Sequence, residues 1–203
     1  MNILIACESS GTTRNAFRDL GHDAWSCDLL SADDGSEWHI QGDGVEAINK
    51  GAPNGGKWDL IICHPPCTHL AVSGSRWFAV KRADGRQQSG IELFNAFVNA
   101  CEKSGAKWCV ENPIGIMSTL YRKPDQIVQP WMFGHPETKA TCYWLGGGLK
   151  PLTETINVYE EMMKLPKKER NRIHYASPGP LRWKIRSKSF VGIAKAMASQ
   201  WSK

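Results

Sequence analysis

Trp58-Asp59-Leu60-Ile61-Ile62-Cys63-His64-Pro65-Pro66-Cys67 decides how the chain is read. Trp58 to Cys63 is a short apolar run, too brief for a helix, and it reads as a buried strand. His64-Pro65-Pro66 stops it, because two prolines cannot continue a central strand. Cys67 therefore lies just past a strand, in a loop stiffened by two fixed φ angles. That is the rigidity a nucleophile needs to hold its line of attack.

The same grammar repeats on either side. Asn2 to Cys7 (NILIAC) reads as a first buried strand, and Glu8 to Thr13 (ESSGTT) as a turn. Arg14 to Leu20 has a helical pattern that Gly21 ends. Ala24 to Cys27 is a second strand closed by Asp28. Asp33 to Gly44 reads as loop, and Val45 to Asn49 as a short helix. Gly90 to Lys103 carries Ile91, Leu93, Phe94, Phe97, Val98 and Cys101 at helical spacing. Lys107 to Val110 is a strand, broken by Glu111-Asn112-Pro113. Thr141 to Leu145 is a later strand, and Ile193 to Trp201 a terminal helix. Short strands alternating with helices predict an α/β fold: a Rossmann-like, mostly parallel sheet with helices on both faces. Ligands of such sheets bind at the carboxyl ends of the strands. Glu8, Ser9, Asp28, His64 to Cys67 and Glu111 all fall at those ends.

The 203 residues fit one domain, 1–203, and show no internal repeat. Hydrophobic residues are 41% and charged residues 22%, a globular balance that excludes a disordered chain. Seven cysteines and no evident leader predict a reduced, cytoplasmic protein. No apolar run approaches a membrane span. The net charge of +5 suits a polyanionic partner.

Two residues stand out chemically. A thiolate is the reactive form of cysteine, and His64, His69 and Arg76 are the sequence neighbours that would favour it at Cys67. Glu111 follows an apolar strand, where desolvation would raise its pKa and let it hold a proton. A protonated acid could donate to a pyrimidine ring nitrogen while a thiolate attacks a ring carbon.

In this order along the chain, these segments resemble the cytosine-5 DNA methyltransferases, especially compact phage and prophage members. ACESSG and AFRDLGHDAWSCDL resemble the first strand, cofactor loop, first helix and second strand. QGDG resembles the segment at the cofactor adenine. DLIICHPPCTHLAVSG resembles the nucleophile loop, and VENP the Glu-Asn-Val motif. FGHPETKATCYWL resembles the Gly-x-Pro-Gln-x-Arg-x-Arg segment, and SFVGIAKAMASQW the terminal helix. The Pro-Pro-Cys and Glu-Asn pair carries most of the resemblance. It implies the class I fold that binds S-adenosylmethionine, a methyl donor, and a DNA substrate in a bacterial or phage-infected cell. It also implies that Cys67 adds to cytosine C6, that Glu111 donates to N3, and that Lys139 stands in for the family's first arginine near the base or phosphate. Cys7, Ser9, Gly11, Asp28, Asp43 and Pro65 would line the cofactor, with Asp28 on the ribose hydroxyls and Asp43 on the adenine amine. The target base must leave the stack.

Three features depart from the family. Its Phe-x-Gly-x-Gly loop reads Cys7-Glu8-Ser9-Ser10-Gly11, and Thr141 replaces the second arginine of the later segment. A short basic insertion, residues 146–190, stands in place of a long target-recognition region. Its basic pieces, KLPKKERNRIHY and PGPLRWKIRSKS, would grip phosphates. Arg76, Lys139, Arg182, Trp183, Lys184 and Arg186 are the expected nucleic-acid contacts, Trp183 as a stacking face. So small a surface predicts weak sequence specificity, a single-stranded or distorted substrate, or recognition shared with a partner chain. Three rivals stay open here. Cys63, His64, Cys67 and His69 have soft ligands for zinc, although the methyltransferase reading expects no metal. A degenerate fold could bind nucleic acid without catalysis. The thiol chemistry could act on a free nucleotide or with another donor.

Overall fold

The computed structural model describes residues 1–203. Seven strands form one sheet in the order β3-β2-β1-β4-β5-β7-β6. They are β1 (Asn2–Ala6), β2 (Asp23–Asp28), β3 (His39–Gln41), β4 (Leu60–Cys63), β5 (Lys107–Pro113), β6 (Gln126–Val128) and β7 (Thr141–Gly146). Strands β1 to β5 are parallel, while β7 runs antiparallel to both β5 and β6. The helices are α1 (Thr12–Arg18), α2 (Gly44–Lys50), α3 (Phe78–Ala83), α4 (Arg86–Ser104), α5 (Met117–Leu120), α6 (Tyr159–Lys164), α7 (Lys167–Arg170), α8 (Arg182–Ser187) and α9 (Val191–Trp201).

Alternate strand residues feed two separate cores. Ile3, Ile5, Leu60, Ile62, Cys109, Tyr143 and Leu145 join Phe17 of α1 and Ile193, Met197 and Trp201 of α9. Leu4, Ala6, Ile61, Cys63, Trp108, Val110 and Trp144 join Ile48 of α2 and Phe94, Phe97 and Val98 of α4. A sheet buried on both faces explains why its central strands read as unbroken apolar runs. Strand order reverses between β1 and β4, so the ligand crevice of such a sheet opens at their carboxyl ends.

The expected Rossmann-like architecture is present, with differences in detail. β3 and β6 have three residues each, too few for any periodicity to register. The long helix begins at Arg86, five residues before its apolar stripe starts at Ile91. β5 does not break at Glu111. It continues to Pro113, paired with β7 through Glu111 opposite Tyr143, Asn112 opposite Cys142 and Pro113 opposite Thr141. Its pairing with β4 ends at Val110, so the last residues of β5 have a neighbour on one side only and Pro113 interrupts no ladder there. The basic piece after Lys164 is no single helix, because Pro166 separates α6 from α7. The segment read as a basic loop contains α8. Residues 146–190 are also more than a charged surface: Leu149, Leu152, Ile173 and Phe190 enter the core beside α9.

Candidate active site

Beyond Val110, β5 loses β4 as a neighbour, and the chain leaving β4 turns into the space. His64 stays anchored through its N–H to the Ala6 carbonyl (3.0 Å). The Asn112 side chain, 1% exposed, donates to the Pro65 carbonyl at 2.9 Å. The Cys67 carbonyl accepts from the N–H groups of Leu70 and Ala71, both at 3.0 Å, which closes the turn at Cys67. Past that turn, Val72 donates to Ile114 (3.0 Å) and Ile116 donates to Leu70 (3.1 Å). Gly115 sits so close that a Cβ there would lie 2.4 Å from the Leu70 carbonyl oxygen. The loop after β4 and the end of β5 are therefore one bonded unit.

The charges in this unit differ from the sequence expectation. His64 Nδ1 lies 3.2 Å from Glu111 Oε1, with both side chains largely buried. Burial pushes the Glu111 carboxyl upward, but the His64 hydrogen bond and charge, helped by Lys139, more than offset it. Glu111 ends below its ordinary value, not above it as expected from desolvation alone. Burial alone would lower His64. The Glu111 bond and charge, with Glu8 beyond, overcome this and hold the ring above the ordinary imidazole value, against Lys139. Both shifts favour the imidazolium–carboxylate form of the pair.

Cys67 is partly exposed and free. Burial and then the Glu111 charge raise its thiol, while Lys139 and Arg186 pull it back. The cations that favour its thiolate are thus Lys139 and Arg186, and not the expected His64, His69 and Arg76. His64 is engaged by Glu111. Burial, Lys81 and Arg86 lower His69, against Asp84. Arg76 is exposed and stacks on Trp77, 5.3 Å from the ring centre. The zinc alternative finds no converging ligands: Cys63 Sγ faces Cys101 Sγ at 3.7 Å, on the opposite side of β4 from the pair.

The β1–β2 half of the rim is built differently. Cys7 has φ 59°, the one non-glycine residue in the left-handed region. It turns Glu8 inward, and the Glu8 carboxylate accepts from the N–H groups of Thr13 (2.8 Å) and Arg14 (3.1 Å) at the start of α1. An anion suits that position, so the Glu8 carboxylate that departs from the family loop serves as a helix cap. Gly11 (φ 67°) leaves its Cβ space to the Arg14 guanidinium, which would lie 2.3 Å from a Cβ. The glycine thus makes room for an internal side chain. Arg14 is fully buried, donates to Ser26 Oγ at 2.8 Å and pairs with Asp34. Ser9 accepts the Asp33 N–H through its carbonyl (2.8 Å).

Asp28 and Asp43 end β2 and cap α2. Each uses one oxygen on a backbone N–H, Leu30 and Glu46 respectively, both at 2.9 Å. The second oxygen of each has no partner within the chain, and an exposed Leu29 follows Asp28. Both carboxylates act on Cys7 and Cys27; burial and these charges push the Cys27 thiol up to about 11. This acceptor-rich, anionic edge fits a group with hydroxyl and amino donors and a positive charge, as S-adenosylmethionine has.

The remaining basic residues divide by task. Arg182 donates to the carbonyls of Ala176 (2.7 Å) and His174 (3.1 Å), so it braces its own loop. Lys184 pairs with Asp33 at 2.7 Å and straps α8 to the loop after β2. Trp183 is exposed. Arg186 and Lys139 reach Cys67 electrostatically.

No protein-family model and no curated protein sequence matches the chain. A solved structure does. It is described as a "putative DNA modification methyltransferase encoded within prophage Cp" from E. coli, with TM-score 0.53 and 16% identity over 82% of this chain. The fold is of the methyltransferase type. The chain spans 56% of that protein's length. Sequence reading missed the roles of His64, Glu8 and Arg14. Only the helical cap had a local signal, an acid just before a predicted helix.

Proposed function

We propose that the chain transfers a methyl group from S-adenosylmethionine to C5 of cytosine in DNA. One observation carries the reading: Cys67 and Glu111 sit within electrostatic reach of each other on a single bonded unit at the sheet's carboxyl edge. The bound cofactor would supply an electrophilic methyl group. Asp28 would accept from its ribose hydroxyls and Asp43 from its adenine amine, with Cys7, Ser9, Gly11 and Pro65 along its path.

The residues of the chain do the rest. Cys67 Sγ, as thiolate, bonds to C6 of the ring. The C5–C6 π pair shifts into the ring as N3 takes a proton from the Glu111 carboxyl, leaving C5 nucleophilic. After methylation, C5 loses its proton to solvent, the C6–S bond breaks, and N3 returns its proton. Lys139 and Arg186 favour the sulfur anion at the start. The ring must be extruded to present both faces. Arg76, Lys139, Arg186 and Trp183 would hold the displaced strand by phosphate contact and stacking, with Arg182 and Lys184 shaping that surface. The name of the prophage protein makes DNA the first polymer to test.

Incubation with S-adenosylmethionine and 5-fluorocytosine oligonucleotides should give a covalent adduct, because fluorine at C5 blocks the final elimination. The adduct should be absent in Cys67→Ser. No adduct with the unaltered protein on any cytosine substrate rejects the proposal. A free cytosine nucleotide is the second reading, favoured because part of residues 146–190 is buried in the core. The mass of product formed on DNA against dCMP separates the two.

A further inference from the structure

Glu111 poses a problem for the proposed reaction. The carboxyl that must give a proton to the ring is surrounded by positive charge and rests as an anion. The geometry around it supplies an answer. His64 Nδ1 points at Glu111 Oε1 from 3.2 Å. The other ring nitrogen, Nε2, is buried with no partner in the protein, and so is Thr13 Oγ1 on α1. Both residues line one small cavity together with Glu111, Lys139, Thr141 and Tyr143. Its volume of about 20 Å³ suits a single water molecule.

We infer that His64 is the positioning residue that stores the proton Glu111 delivers to the pyrimidine, with the cavity between His64 and Thr13 as its route to solvent. The inference rests on the reading of Glu111 as the acid of the proposed reaction. As Cys67 Sγ bonds to C6, Glu111 Oε passes a proton to N3 and takes one from His64 Nδ1. When the ring recovers its aromaticity the proton retraces the path, so the pair ends as it began. Three charged groups face His64: Glu111 from β5, Glu8 from the turn after β1, and Lys139 from the segment before β7. Burial works against the charged ring, but the two carboxylates outweigh it and the one ammonium, so the imidazolium is favoured.

The test is the pH dependence of methyl transfer in His64→Asn, which keeps a donor where Nδ1 stands and cannot titrate. In the unaltered enzyme, kcat/KM should rise with pH as the thiolate forms and level off at an inflection above 6.5, where the pair loses its proton. In H64N the proton must sit on Glu111 itself, still facing Lys139, so the inflection should fall below 6.5. At pH 7, kcat should drop about 100-fold, as for loss of a positioned acid, with KM little changed. Should H64N fold poorly, NMR titration of His64 in the unaltered protein and in Glu111→Gln gives the same answer: the ring should titrate above 6.5 in the first and lower in the second. If the unaltered protein forms no adduct with 5-fluorocytosine DNA, the reading of Glu111 fails and the inference falls with it. If the adduct forms while H64N keeps the same inflection, or His64 titrates alike in both proteins, the inference alone is overturned.

Discussion

The two halves of the sheet's carboxyl edge solve the same packing problem in opposite ways. On the β4–β5 side, backbone hydrogen bonds and Asn112 hold the loops, and the charged groups are left to one another: His64, Glu111, Lys139, Cys67. On the β1–β2 side, charged groups do the holding. Glu8 caps α1, and Arg14 is clamped by Ser26 and Asp34. Charge freed from structural duty is available for chemistry; charge that ties the fold is not. On the proposed reading, proton and sulfur work falls to the first half, while the second is held in shape by Glu8 and Arg14 and offers the free oxygens of Asp28 and Asp43 to a cofactor.

Glu111→Gln should produce the largest change. It keeps the size and the tie to His64 but removes the acid, so methyl transfer should fall by about 100-fold or more while S-adenosylmethionine still binds. Comparable losses of turnover and cofactor affinity would blur the distinction between the halves. Asp34→Ala tests the other side. It leaves the Arg14 guanidinium buried and unpaired, which should cost about 3 kcal/mol in a denaturant titration. Cofactor and DNA affinity in the surviving folded fraction should change far less.

A smaller effect should appear in the pH dependence of stability. Glu111, held below its ordinary 4.5, stabilises the fold above that value and loses its contribution as pH falls through its folded pKa. His64, held above 6.5, stabilises below 6.5 and loses its contribution as pH rises through its folded pKa. The gap in melting temperature between the unaltered protein and Glu111→Gln should therefore be widest between 4.5 and 6.5. A gap that grows steadily towards alkaline pH would contradict the ion pair. The smallest change is expected for Lys184→Ala. Its link to Asp33 is half exposed, and its loss should cost about 1 kcal/mol or less.

The sequence announces the parts of this molecule that depend on neighbours in the chain. Four buried residues in a row at Leu60–Cys63 and the apolar stripe from Ile91 to Cys101 could be read directly, and so could the gathering of Glu8, Asp28, Cys67 and Glu111 at strand ends. It conceals what depends on residues far apart. Arg14 looks like one more polar residue of an amphipathic helix until Asp34, twenty positions later, folds over it. Glu111 looks desolvated, and its charge state reverses only because β4 delivers His64 from 47 residues away. Pro113 reads as a strand breaker, yet sits in β5 because β4 has already turned aside. Three-residue strands such as β3 and β6 hold no pattern to read.

The contact between Gly115 and the Leu70 carbonyl limits how this site could open. With the two backbones touching there and Asn112 latched on Pro65, thiol and carboxyl cannot be drawn apart like jaws. On the proposed reading, any movement that admits an extruded base must come from outside this unit, and α8, tied to the loop after β2 through the half-exposed Lys184–Asp33 pair, is the neighbouring segment held by the weakest link.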